Sequence, residues 1–136
     1  MSAKRRLLLD THILLYWLAR DPRLSVEQAG LISEATADEP LWVADISLWE
    51  IATLVSLGRL RLQTPLRDWL EAAVAPPLVR RIGISPTVAA QVAQLPDTFP
   101  RDPGDRIIVA AARTLGTSLL TQGERIIGSG LVSTIR

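Results

Sequence analysis

Four carboxylates carry the chemistry that this 136-residue chain could do: Asp10, Glu50, Asp102 and Asp105. Asp10 directly follows the apolar triplet Leu7–Leu9, and Asp102 and Asp105 open a Pro-Gly-containing turn before a long apolar run. Glu50 lies inside the segment Ile46–Leu57 and shares a helical face with Ile46, Leu54 and Leu57. The other face carries Leu48, Ile51, Ala52 and Val55, so this segment is expected to be a largely buried helix. A carboxylate inside such a helix is costly unless something pairs with it. If the acids gather roughly 5 Å apart, each pair costs about 3 kcal/mol at an effective dielectric near 20. A divalent cation relieves that cost, and an oxygen-only ligand set selects Mg²⁺ or Mn²⁺. The chemistry suited to such a site is metal-assisted hydrolysis of a phosphodiester.

Each acid also has a purely structural reading. Asp10 can cap a helix starting at Thr11, and Asp102 makes a good N-cap with Pro103 behind it. Asp105 can serve as a first-turn acid on the helix dipole. Capping does not explain Glu50, but an ion pair with one of the 14 arginines would. The single histidine, His12, reads as a packed or capping residue before it reads as a ligand. The four tryptophans fall on helical or strand stripes and read as core or interface.

These acids need elements that bring them together. Short apolar runs at Leu7–Leu9, Leu41–Ala44, Leu78–Ile82, Ser118–Leu120 and Val132–Ile135 read as strands. Between them lie helical segments with recognisable starts. Ser25 to Gln28 reads as a capping box opening a helix to about Ala37. Thr64-Pro65, Ser85-Pro86 and Asp102-Pro103 each read as an N-cap followed by Pro at the first helical position. The alternation predicts one α/β domain over residues 1–136, with a mainly parallel central sheet of about five strands. In such sheets ligands bind at the carboxyl ends of the strands, which is where Asp10 stands.

Composition narrows the field further. With no cysteine, a disulfide scaffold, a zinc–thiolate site and a thiol nucleophile are excluded. Met1–Arg6 is short and basic, and Asp10 cuts the apolar run after it. That is too short for a secretory or membrane segment, so the expectation is a soluble, cytoplasmic protein without a membrane partner. The net charge of +1 argues at face value against a nucleic-acid partner. Setting the four acids aside leaves 15 basic against 10 acidic residues, a balance of +5. An acidic pocket inside a mildly basic, arginine-rich protein suits a metal-dependent nuclease.

The motifs together resemble a PIN domain, and within that family the VapC-type toxins of bacterial toxin–antitoxin pairs. The match is carried by Leu8-Leu9-Asp10-Thr11-His12, by Ile46 to Ile51, by Asp102-Pro103-Gly104-Asp105-Arg106 with Ile107–Ala112, and by Leu119-Leu120-Thr121 with Gly130–Ile135. It spans nearly the whole chain. It implies a three-layer α/β/α fold and a Mg²⁺- or Mn²⁺-dependent endoribonuclease. It also implies an RNA substrate, a small antitoxin partner and a homodimer. Asp10, Glu50 and Asp105 would be the catalytic acids and metal ligands, with Asp102 beside them. Thr11 and Ser47 would support the acids by hydrogen bonds, and Arg106 would make a structural ion pair. The apolar helices at Ile46–Leu57 and Leu14–Leu18 would offer surfaces for partners.

One position departs from the pattern. An Asp is expected two residues beyond Thr121, and Gly123 stands there, followed by Glu124. Glu124 reaching the ion, three acids sufficing, and weakened activity each account for the gap. Two other functions stay open: a PIN-type RNA-processing nuclease without an antitoxin, and a catalytically weak RNA- or antitoxin-binding module.

Overall fold

The computed structural model describes residues 6–136; segment 1–5, most of the basic start, lies outside the described residues. Five strands form one all-parallel sheet: β1 (Leu7–Leu9), β2 (Leu41–Ala44), β3 (Val79–Ile82), β4 (Ser118–Leu120) and β5 (Thr134–Ile135). Their order is β3-β2-β1-β4-β5. From β1 the chain winds outward through β2 and β3, then returns to β1's other side for β4 and β5. The order therefore reverses between β1 and β4, and a crevice opens there at the strands' carboxyl ends.

Among the described residues seven helices cover the sheet: α1 (Thr11–Ala19), α2 (Val26–Ser33), α3 (Asp45–Ser56), α4 (Leu66–Ala73), α5 (Pro86–Gln94), α6 (Pro103–Leu115) and α7 (Glu124–Ser129). The apolar run of the central strand β1 works because both of its faces are buried, whereas the edge strand β3 exposes Arg80 and Arg81. Leu7 and Leu9 enter a core with Ile13, Ile32 and Ile51, beneath α1 to α4. Leu8, one residue out of phase, enters the opposite core with Ile108, Ala112 and Ile126 of α6 and α7. The result is the expected three-layer α/β/α arrangement. Among the described residues no helix is long and apolar enough to cross a membrane.

Several boundaries differ from expectation. The second helix ends at Ser33 rather than near Ala37. The Thr36 hydroxyl accepts the Glu39 N–H, and the Thr36 N–H donates to the Glu39 carbonyl. This tight turn takes up backbone groups that a longer helix would need. At α4, Pro65 is itself the cap in an extended conformation (ψ 142°), so the helix starts one residue late and Thr64 does not cap it. The last strand is confined to Thr134–Ile135. Helix α7 carries no sequence signal; it is six residues long, contains Gly128, and starts from Gly123 without a side-chain cap.

Helix α3 is the clearest correction. Only Ser47 and Ile51 are fully buried, while Trp49 and Leu57 are each 60% exposed. An apolar stripe all round a helix need not mean burial all round, and here one side faces solvent.

The Ser25–Gln28 capping box is present, and its glutamine does more than cap. Gln28 is completely buried, and its amide donates to the carbonyls of Thr121 (3.2 Å) and Ile135 (2.9 Å). It thereby ties α2 to the carboxyl ends of β4 and β5, beside the crevice.

Candidate metal centre

Asp10 stands where β1 ends and α1 begins. Its N–H continues the sheet ladder to the Leu120 carbonyl (3.0 Å), and its Oδ1 accepts the Thr11 N–H (2.8 Å) as the N-cap of α1. The other oxygen, Oδ2, accepts the Thr121 hydroxyl (2.6 Å). Thr121, fully buried at the end of β4, in turn accepts the Gly123 N–H (3.0 Å). The capping reading is thus correct and does not compete with a role in the site. One oxygen caps, and both retain lone pairs toward the crevice.

Glu50 reaches the same crevice from α3. Its Oε1 lies 2.7 Å from the Thr11 hydroxyl, which also lies 2.8 Å from the buried Ser47 hydroxyl. A hydroxyl has one proton, and an ionised carboxylate only accepts. With Glu50 ionised, Thr11 donates to Glu50 and Ser47 donates to Thr11. Both supporting hydroxyls expected from the sequence are therefore in place. Burial pushes the Glu50 carboxyl up, and nearby Asp10 and Asp102 push it further, against the Thr11 hydrogen bond.

Helix α6 brings the remaining acids. Asp102 is exposed at its N-cap, and its Oδ2 accepts the Asp105 N–H (3.3 Å). Asp105 is half-buried one turn in. Burial pushes its carboxyl up to about 6, with further contributions from Asp102, Asp10 and Glu50. Between them, Gly104 lets the first turn of α6 close over Glu50. A Cβ at Gly104 would sit 2.5 Å from Glu50 Oε2. Gly104→Ala is expected to destabilise the fold by about 1–3 kcal/mol, a cost of overpacking. A Glu50→Ala background should remove most of that cost, because the clashing atoms are gone. Thermal melts of the two single variants and the double variant check this.

Among the described residues none of the four acids has an arginine partner within salt-bridge distance; the ion pairs present are elsewhere. The ion-pair reading of Glu50 therefore fails. All four acids line one cavity of about 710 Å³. No three His, Cys, Asp or Glu side chains among the described residues are drawn into a closed ligand set. The cavity is instead an open acidic bowl. His12 and Arg125 also line the bowl, but neither is within salt-bridge distance of the four acids, whose carboxylate oxygens and, for Glu50 and Asp105, upward-pushed carboxyls suit a hard divalent ion.

The PIN-domain family model matches residues 7–128 of this sequence. The chain belongs to the PIN-domain family. It is 40% identical over 119 residues to Ribonuclease VapC22 of Mycobacterium tuberculosis (strain ATCC 25618 / H37Rv), covering 88% of each chain. Among solved structures, it is similar in fold to VapBC-1 from nontypeable Haemophilus influenzae, with a TM-score of 0.72, 16% identity and 96% of each chain covered. It is likewise similar to VapBC2 from Rickettsia felis bound to a promoter DNA fragment, with a TM-score of 0.69, 14% identity and 96% and 97% covered. At those identities the likeness is one of fold.

Within this PIN domain, Arg106 makes no ion pair among the described residues. It donates to the carbonyls of Phe99 (3.0 Å) and Pro100 (3.2 Å), fastening the loop that carries Asp102 onto α6. The expected ion pair is therefore absent, and backbone carbonyls take its place. Gly123 sits on the lip of the bowl as the cap of α7. Glu124 also borders the bowl, but its carboxylate is 86% exposed and meets Arg136 at 3.2 Å. Thr121 is legible in the sequence only as part of a motif and Arg125 not at all, yet Thr121 binds Asp10 and Arg125 lines the bowl. Thr121 follows β4 as Asp10 follows β1, so the strand-end rule could have found it. Arg125 lies on the unsignalled helix α7 and leaves no such trace.

Proposed function

We propose that this PIN domain is a Mg²⁺- or Mn²⁺-dependent endoribonuclease and the toxin of a VapBC-type toxin–antitoxin pair. One observation carries the reading: four carboxylates without cationic partners among the described residues line one bowl at the topological switch point of the sheet. Asp10, Glu50 and Asp105 would hold the ion, with Asp102 at the rim. A bound ion would supply an acidified water and neutralise charge on the phosphodiester. Asp10 is aimed by Thr11 and Thr121, and Glu50 by the Ser47–Thr11 relay. Fixing the acids by neighbours on three elements limits the reorganisation needed when charge develops. Resemblance to Ribonuclease VapC22 supports RNA as the substrate. The VapBC and toxin–antitoxin complexes among the structural neighbours support an antitoxin partner, and the family resemblance alone suggests a homodimer. The purified chain should cleave RNA with added Mg²⁺ or Mn²⁺, lose that activity in EDTA, and regain it on metal addition. Cleavage that persists in excess EDTA would refute metal dependence.

The lip of the bowl favours a second reading, in which activity is weakened. Gly123 occupies the expected acid position, and Glu124 is engaged with Arg136. A Cβ at position 123 would meet Thr121 Oγ1 at 3.3 Å and Ile126 Cδ1 at 3.8 Å, so an aspartate needs only a small adjustment. Gly123→Asp is expected to raise cleavage at limiting Mn²⁺. The cap preference alone moves stability by only a few tenths of a kcal/mol, while the added charge beside the other acids should lower the metal-free Tm. No gain in the metal titration would show that three or four acids already suffice.

A further inference from the structure

The acidic bowl shares a wall with a second cavity of about 730 Å³. That wall is His12 and Tyr16, one turn apart on α1. Their ring centres are 6.2 Å apart and tilted by 58°. The Arg23 guanidinium lies 4.6 Å from the Tyr16 ring centre and is held there by Asp21 at 2.7 Å. Three flat π groups thus lead away from the carboxylates. Packing does not require a ring at position 12: the buried face of α1 is Thr11, Ile13 and Leu14, and His12 is exposed. The far cavity carries the exposed Arg59 and Arg61, neither in an ion pair among the described residues.

We propose that His12, Tyr16 and Arg23 form a stacking track for the unpaired bases of the RNA next to the cleaved bond, with Arg59 and Arg61 taking its backbone phosphates. The inference rests on the ribonuclease reading and deepens it. An acidic bowl repels a polyanion, so affinity must come from surfaces beside it. Aromatic and guanidinium faces bind single strands with little regard to sequence, and arginines follow the backbone. The track joins the acidic end to the basic end without a break, which suits a strand that must present one phosphate to the acids.

The test uses the full chain and a fluorescent single-stranded RNA 12-mer, with binding measured in excess EDTA, which withholds the ion that the proposed water attack needs. The Kd is read by anisotropy, with cleavage of the same 12-mer in added metal followed in parallel. His12→Ala, at an exposed position, and Tyr16→Ala should each raise Kd roughly 10-fold. His12→Phe and Tyr16→Phe, which keep a stacking face, should stay within about twofold of the parent. For a cleaved oligonucleotide the loss should fall on KM rather than kcat. A 2-aminopurine beside the cleaved bond should be quenched by the parent and not by His12→Ala. Unchanged Kd in both alanine variants would overturn the track and leave this groove to a protein partner. Phenylalanine variants as weak as the alanine ones would also overturn it, since stacking would not be the interaction. Failure of the parent chain to cleave RNA in added metal would count against the ribonuclease reading alone, because the track is judged by Kd.

Discussion

Asp10→Asn and Glu50→Gln should each reduce RNA cleavage by about 10²- to 10⁴-fold at saturating metal, while the metal-free chain stays folded and Glu50→Gln, which removes a charge that burial disfavours, melts no lower than the parent. The magnitude follows from the several kcal/mol of charge stabilisation that a catalytic metal provides. The clean separation follows from the hydrogen bonds. In Asp10→Asn the new side-chain carbonyl can still accept the Thr11 N–H that caps α1. The new amide would face the Thr121 hydroxyl, which can rotate to accept instead of donate. In Glu50→Gln, similarly, the side-chain carbonyl can still accept from the Thr11 hydroxyl. Asp10→Ala is the poorer probe, because loss of the cap alone costs about 1 kcal/mol. Asp102→Asn should lose less activity, since Asp102 is exposed at the rim. Cleavage at the parental rate by both Asp10→Asn and Glu50→Gln would mean that the metal is held elsewhere.

The parts of this molecule legible in its sequence are those set by local chemistry or by complete burial. Leu7–Leu9 can be read as a central strand because every residue is apolar, and the strand is indeed covered on both faces. Asp102-Pro103 and Ser85-Pro86 announce their helices because a cap and a proline act within one turn. Asp10 is legible as a site residue because the carboxyl end of a parallel strand is where ligands bind. What escapes is set by partners far away in the chain. The exposure of Trp49 depends on how α1 and α6 pack against α3, which the periodicity of α3 alone does not encode. Helix α7 has no cap signal and is anchored by burial of Ile126. The second duty of Gln28, on the carbonyls of Thr121 and Ile135, reaches across most of the chain, and no window of sequence announces it. Gly104 belongs to a visible motif, but its reason is a distance: Glu50, from another layer, occupies the space of its absent side chain.

Asp105→Asn should make the metal-free protein more stable at neutral pH, although it removes a first-turn acid from α6. Burial and the three neighbouring carboxylates push Asp105 up to about 6 from an ordinary value of 3.8. Below about 4 the group is protonated whether the chain is folded or not, and the substitution is nearly silent. Between about 4 and 6 the unfolded chain gives up this proton first, so stability falls as pH rises. Above about 6 both states are ionised and the full penalty persists. The helix dipole favours the charge, while burial and repulsion from Asp102, Asp10 and Glu50 oppose it. Because the group is half-exposed, solvent screening reduces the gain to about 1 kcal/mol, or about 3 °C in Tm. A bound divalent cation should reverse the order. It binds the ionised form, so added Mn²⁺ at pH 7 should raise the parental Tm, and that rise should be small or absent in Asp105→Asn. The same competition makes the metal-induced rise in the parent fade as pH falls through about 6. Melts in EDTA and in Mn²⁺ at about pH 4.5, 6 and 7.5 read all of this in one series. A variant less stable than the parent in EDTA at the highest pH, yet equally stabilised by Mn²⁺, would place Asp105 outside the metal site.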